Sequence, residues 1–240
     1  MGKDVTIEAR DGGQFGAYVA TPADARAPGL VLIQYICGVN RVMRALAEEF
    51  AGHGFRVAVP DLFWRQEPGV QLNNDPSRPS EAEQKRALAL NAGFDDDKGI
   101  ADLIATLDWL RAAGGAGSKV GMLGYCLGGR LAYLMAVRSD ADCAVGYYGV
   151  NIDRYLDEAP RISRPLMLHM AGRDELCGEE ARARIAGALA SVPGAVVHSY
   201  PGAGHAFALK GGHNFNAVAA AEADRRSLEF LNRHLAGRRA

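Results

Sequence analysis

With 240 residues, 48% of them hydrophobic, and a formal net charge of −1, the chain is long enough for one sizeable α/β domain and short for two. So small a charge excludes a long-range field that would draw the protein to nucleic acid or to an acidic membrane surface. The cysteines Cys37, Cys126, Cys143 and Cys177 show no C-x-x-C spacing, which argues against a zinc knuckle or disulfide framework.

No signal peptide is read and no apolar run approaches the roughly 18 residues of a membrane span, so a soluble protein of the reducing cytoplasm is expected. In chain order, Asp4–Glu8 and Gly16–Ala20 flank Asp11-Gly12-Gly13 and predict an opening hairpin at a sheet edge. Gly29–Gln34 is an apolar run suited to a strand buried on both faces. Val42, Leu46 and Phe50 then recur at helical spacing after an Asn40 cap, before the strand Phe55–Val59. This is a strand-helix-strand unit of the parallel type.

From Asp61 to Pro79 no periodicity survives, and the segment is either a solvated excursion or part of a mouth or lid. Helices are expected over Ser80–Asn91 and Asp95–Ala112, the second with Ile100, Leu103, Leu107 and Leu110 on one face. Strands follow at Cys143–Tyr148, Pro165–Met170 and Ala195–Tyr200, with a helix at Glu179–Leu189 and a closing helix around Val218–Leu235. The sum is a mostly parallel sheet of about eight strands with helices on both faces, in a single domain spanning 1–240.

The chemistry concentrates in Val120-Gly121-Met122-Leu123-Gly124-Tyr125-Cys126-Leu127-Gly128-Gly129, which reads as strand, sharp turn and helix. Gly124 and Gly128 flank a residue forced into a strained backbone, so that the Cys126 side chain projects outward. A helix N-terminus also favours thiolate over thiol. Taken alone, such a turn is also common in open α/β sheets, and an isolated Cys is usually a small buried hydrophobe.

Two further residues change the balance. In open parallel sheets ligands lie beyond the C-terminal strand ends, and there Cys126, Asp174 and His205 follow three separate strands in the order nucleophile, acid, histidine. Imidazole takes the thiol proton, and a carboxylate behind the ring fixes its tautomer. The oxyanion then needs two donors, expected from the backbone N–H groups of Leu127 and Ile36.

These segments resemble the dienelactone hydrolase family, the cysteine branch of the α/β-hydrolases. The resemblance is carried by Gln34-x-Ile36-x-Gly38-Val39-Asn40, Pro60-Asp61-Leu62, the Gly124-to-Gly129 turn, Gly146-Tyr147-Tyr148-Gly149-Val150, His169-Met170-x-Gly172-x-Asp174 and Gly204-His205-x-Phe207-Ala208, spread over nearly the whole chain. It implies a monomeric, cofactor-free cytoplasmic hydrolase that opens a small lactone or activated ester through a thioester, with Cys126, Asp174 and His205 as its triad and no metal.

The departures bear on substrate. Relatives that open dienelactone have a glutamate where this chain has Tyr35, and their carboxylate-binding arginines correspond to Gln84 and Leu209. Arg86 and Lys210 stand nearby as substitutes, and Tyr35, Cys37, Arg86, Tyr147 and Lys210 are expected around the substrate. The acyl part is accordingly expected to be less acidic than dienelactone. Cys37 stands where relatives carry a bulky aromatic, and a reversible link to Cys126 under oxidation is a second expectation. The alternative reading is a ligand-binding or thiol-sensing protein on a retained hydrolase scaffold. No G-x-G-x-x-G follows a strand and no P-loop lysine is present, which weighs against a nucleotide binder.

Overall fold

The computed structural model describes residues 2–115 and 117–235. Eight strands form one sheet: β1 (Lys3–Glu8), β2 (Gln14–Ala20), β3 (Gly29–Ile33), β4 (Arg56–Pro60), β5 (Val120–Tyr125), β6 (Cys143–Tyr147), β7 (Leu166–Arg173) and β8 (Ala195–Gly204). Their spatial order is β1-β2-β4-β3-β5-β6-β7-β8. The expected hairpin pairs Lys3 with Val19, β2 runs antiparallel to β4, and the six strands from β4 to β8 are parallel. β1 is therefore an edge strand and β2 is not. Strands β3, β4, β5 and β6 are buried at every residue, as their unbroken apolar runs require when both faces are covered.

Six helices cover the faces: α1 (Arg41–Gly52), α2 (Glu81–Ala92), α3 (Asp96–Gly114), α4 (Leu127–Arg138), α5 (Glu179–Leu189) and α6 (Ala217–Leu235). Asn40 caps α1 by accepting from Met43 N at 3.1 Å, and Ser80 and Asp95 cap α2 and α3 in the same way. Every residue of α4 from Leu127 to Val137 is buried, so this helix is a piece of the core rather than its cover. A 3₁₀ segment, Ile152–Arg161, was not legible in the sequence.

The Asp61–Pro79 stretch is no loose excursion. Asp61 is buried and accepts from Phe63 N at 3.0 Å and Gly69 N at 2.6 Å. Arg65 and Trp64 both bond to the carboxylate of Asp102 on α3, itself almost wholly buried. The far end is sewn to the turn after β3 by Val39 N to Val70 O at 3.1 Å and Leu72 N to Cys37 O at 2.9 Å.

α6 is tied to the sheet by a buried polar chain. Tyr147 Oη meets Ser227 Oγ at 2.7 Å and Asp224 at 3.0 Å, Ser227 meets His169 Nε2 at 2.9 Å, and His169 Nδ1 meets Tyr200 Oη at 2.9 Å. Burial holds His169 well below the ordinary histidine range, so it is a neutral partner here. Among the described residues no helix is long and apolar enough to cross a membrane.

Candidate active site

Strand β5 ends in the sharp turn that its glycines demand. Cys126 adopts φ 56° and ψ −112°, a strained conformation for a residue with a side chain. A Cβ on Gly124 would strike the Gly128 carbonyl, and one on Gly129 would strike Tyr147 O, so the close approach of helix to strands has no room for larger residues. Cys126 N bonds to Tyr147 O at 3.0 Å, while its carbonyl accepts from Gly129 N at 2.9 Å and thereby opens α4.

Asp174 follows β7 directly and His205 follows β8 directly, and the structure brings both beside Cys126. His205 Nδ1 lies 2.9 Å from Asp174 Oδ2 and 3.1 Å from Oδ1. Asp174 is held in place because Oδ1 also accepts from Leu176 N at 2.9 Å. With Nδ1 engaged, Nε2 is the ring nitrogen left for the thiol, and the two side chains are within hydrogen-bonding reach. The edge of the Tyr148 ring packs on the imidazole, with centroids 5.2 Å apart, and Asn214 holds the His205 carbonyl at 3.0 Å.

Burial disfavours imidazolium at this site, but the hydrogen bonds it donates to Asp174 and Cys126 outweigh this and His205 is pushed up to about 10. A histidine whose pKa is raised on folding stabilises the protein fully below its unfolded value of about 6.5, and that contribution is lost as pH climbs towards 10. Denaturant titrations at pH 6 and pH 9.5 are expected to show a larger drop in stability for the wild type than for His205→Asn. Equal drops would mean that the ring is not held as a cation.

These residues sit at the base of a cavity of about 500 Å³. Its walls are largely apolar: Tyr35, Ile36, Leu46, Tyr125, Tyr148, Ala208 and Leu209, with Pro76 and Pro79 from the sewn-down loop and the exposed Leu88 and Leu176. Among the described residues that line it, Glu175 is the acid and no lysine or arginine is present. Leu127 is the first residue of α4, so its N–H has no partner within the helix. The Ile36 N–H, in the turn after β3, finds no acceptor among the described residues. Both expected oxyanion donors are thus unspent. No cluster of three or more His, Cys, Asp or Glu with metal-binding geometry occurs among the described residues.

Of the residues expected around the substrate, Tyr35 and Cys37 line the cavity and three others do not. Tyr147 turns its hydroxyl to Asp224 and Ser227, and its neighbour Tyr148 faces the cavity instead. Arg86 is paired with Glu67, and Lys210 with Glu49 at 2.9 Å. Gln84 and Leu209 do line the cavity, and no cation replaces them there. Cys37 is buried, accepts weakly from Asn73 Nδ2 at 3.7 Å, and is pushed up to about 11 by burial; all four cysteines are free.

The sheet order, the strained turn after β5 and the cavity above the strand ends define an α/β hydrolase. A model of the dienelactone hydrolase family matches residues 15–235, and the chain belongs to that family. It is 41% identical to carboxymethylenebutenolidase 1 of Cupriavidus pinatubonensis over 95% of either chain. It is 39% identical to the carboxymethylenebutenolidase of Pseudomonas putida over 95% of this chain and 94% of that one. Among solved structures, the dienelactone hydrolase from Anabaena variabilis superposes with a TM-score of 0.70 over 98% of both chains at 19% identity, a likeness of fold. Membership in the family places the protein among ester and lactone hydrolases.

Proposed function

We propose that the protein hydrolyses a small neutral ester or lactone through an acyl-thioester on Cys126. The reading is carried by one observation: Cys126 and His205, the latter held from behind by Asp174, line a largely apolar cavity whose described lining has no lysine or arginine. His205 Nε2 takes the thiol proton, and sulfur adds to the substrate carbonyl while the N–H groups of Leu127 and Ile36 receive the oxyanion. The leaving oxygen collects the proton from His205, and the thioester remains. Water, deprotonated by His205, attacks that thioester and releases the acid with free Cys126. The sum is one ester and one water to one acid and one alcohol, or a single hydroxy acid from a lactone.

Opening of an unsaturated lactone is what the relatives' names suggest for this chain too. A substrate bearing a carboxylate, however, would bring it into a largely apolar cavity that holds Glu175 and no lysine or arginine to receive it. Desolvating an unpaired charge costs several kcal/mol, and a like charge adds to that.

The test is a matched panel of lactones and activated esters, each neutral or carrying a carboxylate, with acid-quenched samples read by mass spectrometry. The acyl mass is expected on the peptide containing Cys126, and kcat/KM for neutral members is expected to exceed that for anionic ones by about 10- to 100-fold, a modest share of the desolvation cost. An acyl group elsewhere, or none, sinks the thioester. Dienelactone leading the panel sinks the neutral substrate. Stoichiometric labelling of Cys126 without turnover points to the sensing alternative.

A further inference from the structure

The inference starts at Asn40, which is fully buried. Its carboxamide oxygen accepts from Met43 N at 3.1 Å as the cap of α1, so the other end of the group is the NH₂. That NH₂ donates to Leu72 O at 2.7 Å and to Tyr35 Oη at 2.7 Å. The Tyr35 oxygen is therefore an acceptor, and its own proton is free to donate. Among the described residues nothing receives it. The half-buried ring lines the same cavity as Cys126 and is joined through one peptide bond to Ile36.

An unspent donor in an apolar pocket costs free energy until an acceptor arrives. Here the oxygen is held by a buried amide on a ring that lines the cavity of Cys126, and Tyr35 directly precedes Ile36, whose N–H is one of the two expected oxyanion donors. Given the thioester reading above, we infer that Tyr35 is a catalytic residue whose O–H is a third donor to the oxyanion formed when Cys126 adds to the substrate. No covalent step is added, and the tyrosine keeps its proton throughout. Desolvation raises the phenol above its ordinary range, so it remains a neutral donor at every pH at which the enzyme works. A neutral donor also suits a cavity without lysine or arginine, because it stabilises negative charge developed in the reaction without attracting a substrate that is already anionic.

The experiment compares wild type with Tyr35→Phe, which keeps the ring and removes the hydroxyl, in two reactions of the same thiol. Acylation by p-nitrophenyl acetate, followed in the pre-steady state, passes through an oxyanion. Alkylation by iodoacetamide displaces iodide at a saturated carbon and forms none. The acylation rate constant is expected to fall about 100-fold, the lower end for loss of one oxyanion donor, with KM within about threefold. The alkylation rate should stay unchanged, which also reports an intact site. The loss in acylation should be the same from pH 6 to 9. Parallel losses in both reactions would overturn the proposal and put the hydroxyl on the resting thiol; no loss in either would overturn it as well. Cys126→Ala is run alongside: if that variant still turns over the ester at the wild-type rate, the thioester reading itself fails, whatever Tyr35→Phe shows.

Discussion

On the proposed mechanism, Cys126→Ala is expected to lose turnover by about 10⁵- to 10⁶-fold, because a triad acts as a unit and removing its nucleophile alone forfeits most of what the three residues would supply. The substitution is nearly isosteric at the backbone. Alanine inherits the same strained φ of 56°, and Cys126 contributes no side-chain cap to α4, so stability should change little while catalysis collapses. Asp174→Asn separates position from charge. Its carbonyl oxygen can still accept from Leu176 N, keeping the loop after β7 in place. The amide presents N–H groups to His205 Nδ1, however, which reverses the tautomer and costs about 10⁴-fold. Both effects are read as kcat/KM on a neutral activated ester, with circular dichroism confirming the fold. A Cys126→Ala enzyme within tenfold of wild type would remove the thiol from the mechanism.

Gly128→Ala is expected to be among the most damaging single methyls in the protein. A Cβ there would collide with the carbonyl of Ile33 and would lie 2.8 Å from Gln34 O and 2.9 Å from Ile33 C. All three are backbone atoms of a buried strand end, which cannot swing aside as a flexible side chain could. Relief requires moving α4 off β3, and α4 is buried almost throughout. The expected cost is about 3–5 kcal/mol, at or above the top of the usual range for overpacking, which for a chain of this size lowers Tm by about 10–15 °C. The control is Gly187→Ala, in the exposed part of α5, where an added Cβ meets nothing within 4 Å. There the helix propensity of alanine should stabilise by about 0.5–1 kcal/mol. Thermal melts of the two variants decide it, and a Gly128→Ala protein as stable as wild type would mean that α4 moves off β3 at little cost.

Much of this architecture was legible in the sequence because both signals it relies on are local. The strands are short unbroken apolar runs, and a residue at the end of such a run in a parallel sheet stands where ligands bind, so Cys126, Asp174 and His205 could be grouped although the first and last stand 79 positions apart. What escaped was set by contacts distant in sequence. Arg86 and Lys210 looked available, yet Glu67 and Glu49 take them up. The wall built from residues 61–79 is ordered by side-chain-to-backbone bonds of Asp61 and Asn40 and by the side-chain pair of Arg65 with Asp102, none of which leaves a period to read. Tyr147 and Tyr148 could not be told apart because strand alternation ends between them: Tyr148 has φ 38°, which redirects its ring into the cavity.

The buried polar chain through Tyr147, Ser227, His169 and Tyr200 also dictates an order of events during synthesis. Gly121 on β5 lies against Leu231 and Leu235, so the middle of the sheet borrows its cover from α6, which follows every strand of the sheet in the chain. A nascent chain that has reached only β8 carries His169 and Tyr147 without the serine that joins them, and exposes apolar strands that α6 will later hide. The sheet cannot settle progressively as it leaves the ribosome. A chain truncated upstream of Ser227 is expected to aggregate rather than to form a smaller folded enzyme, which its yield in the soluble fraction would check.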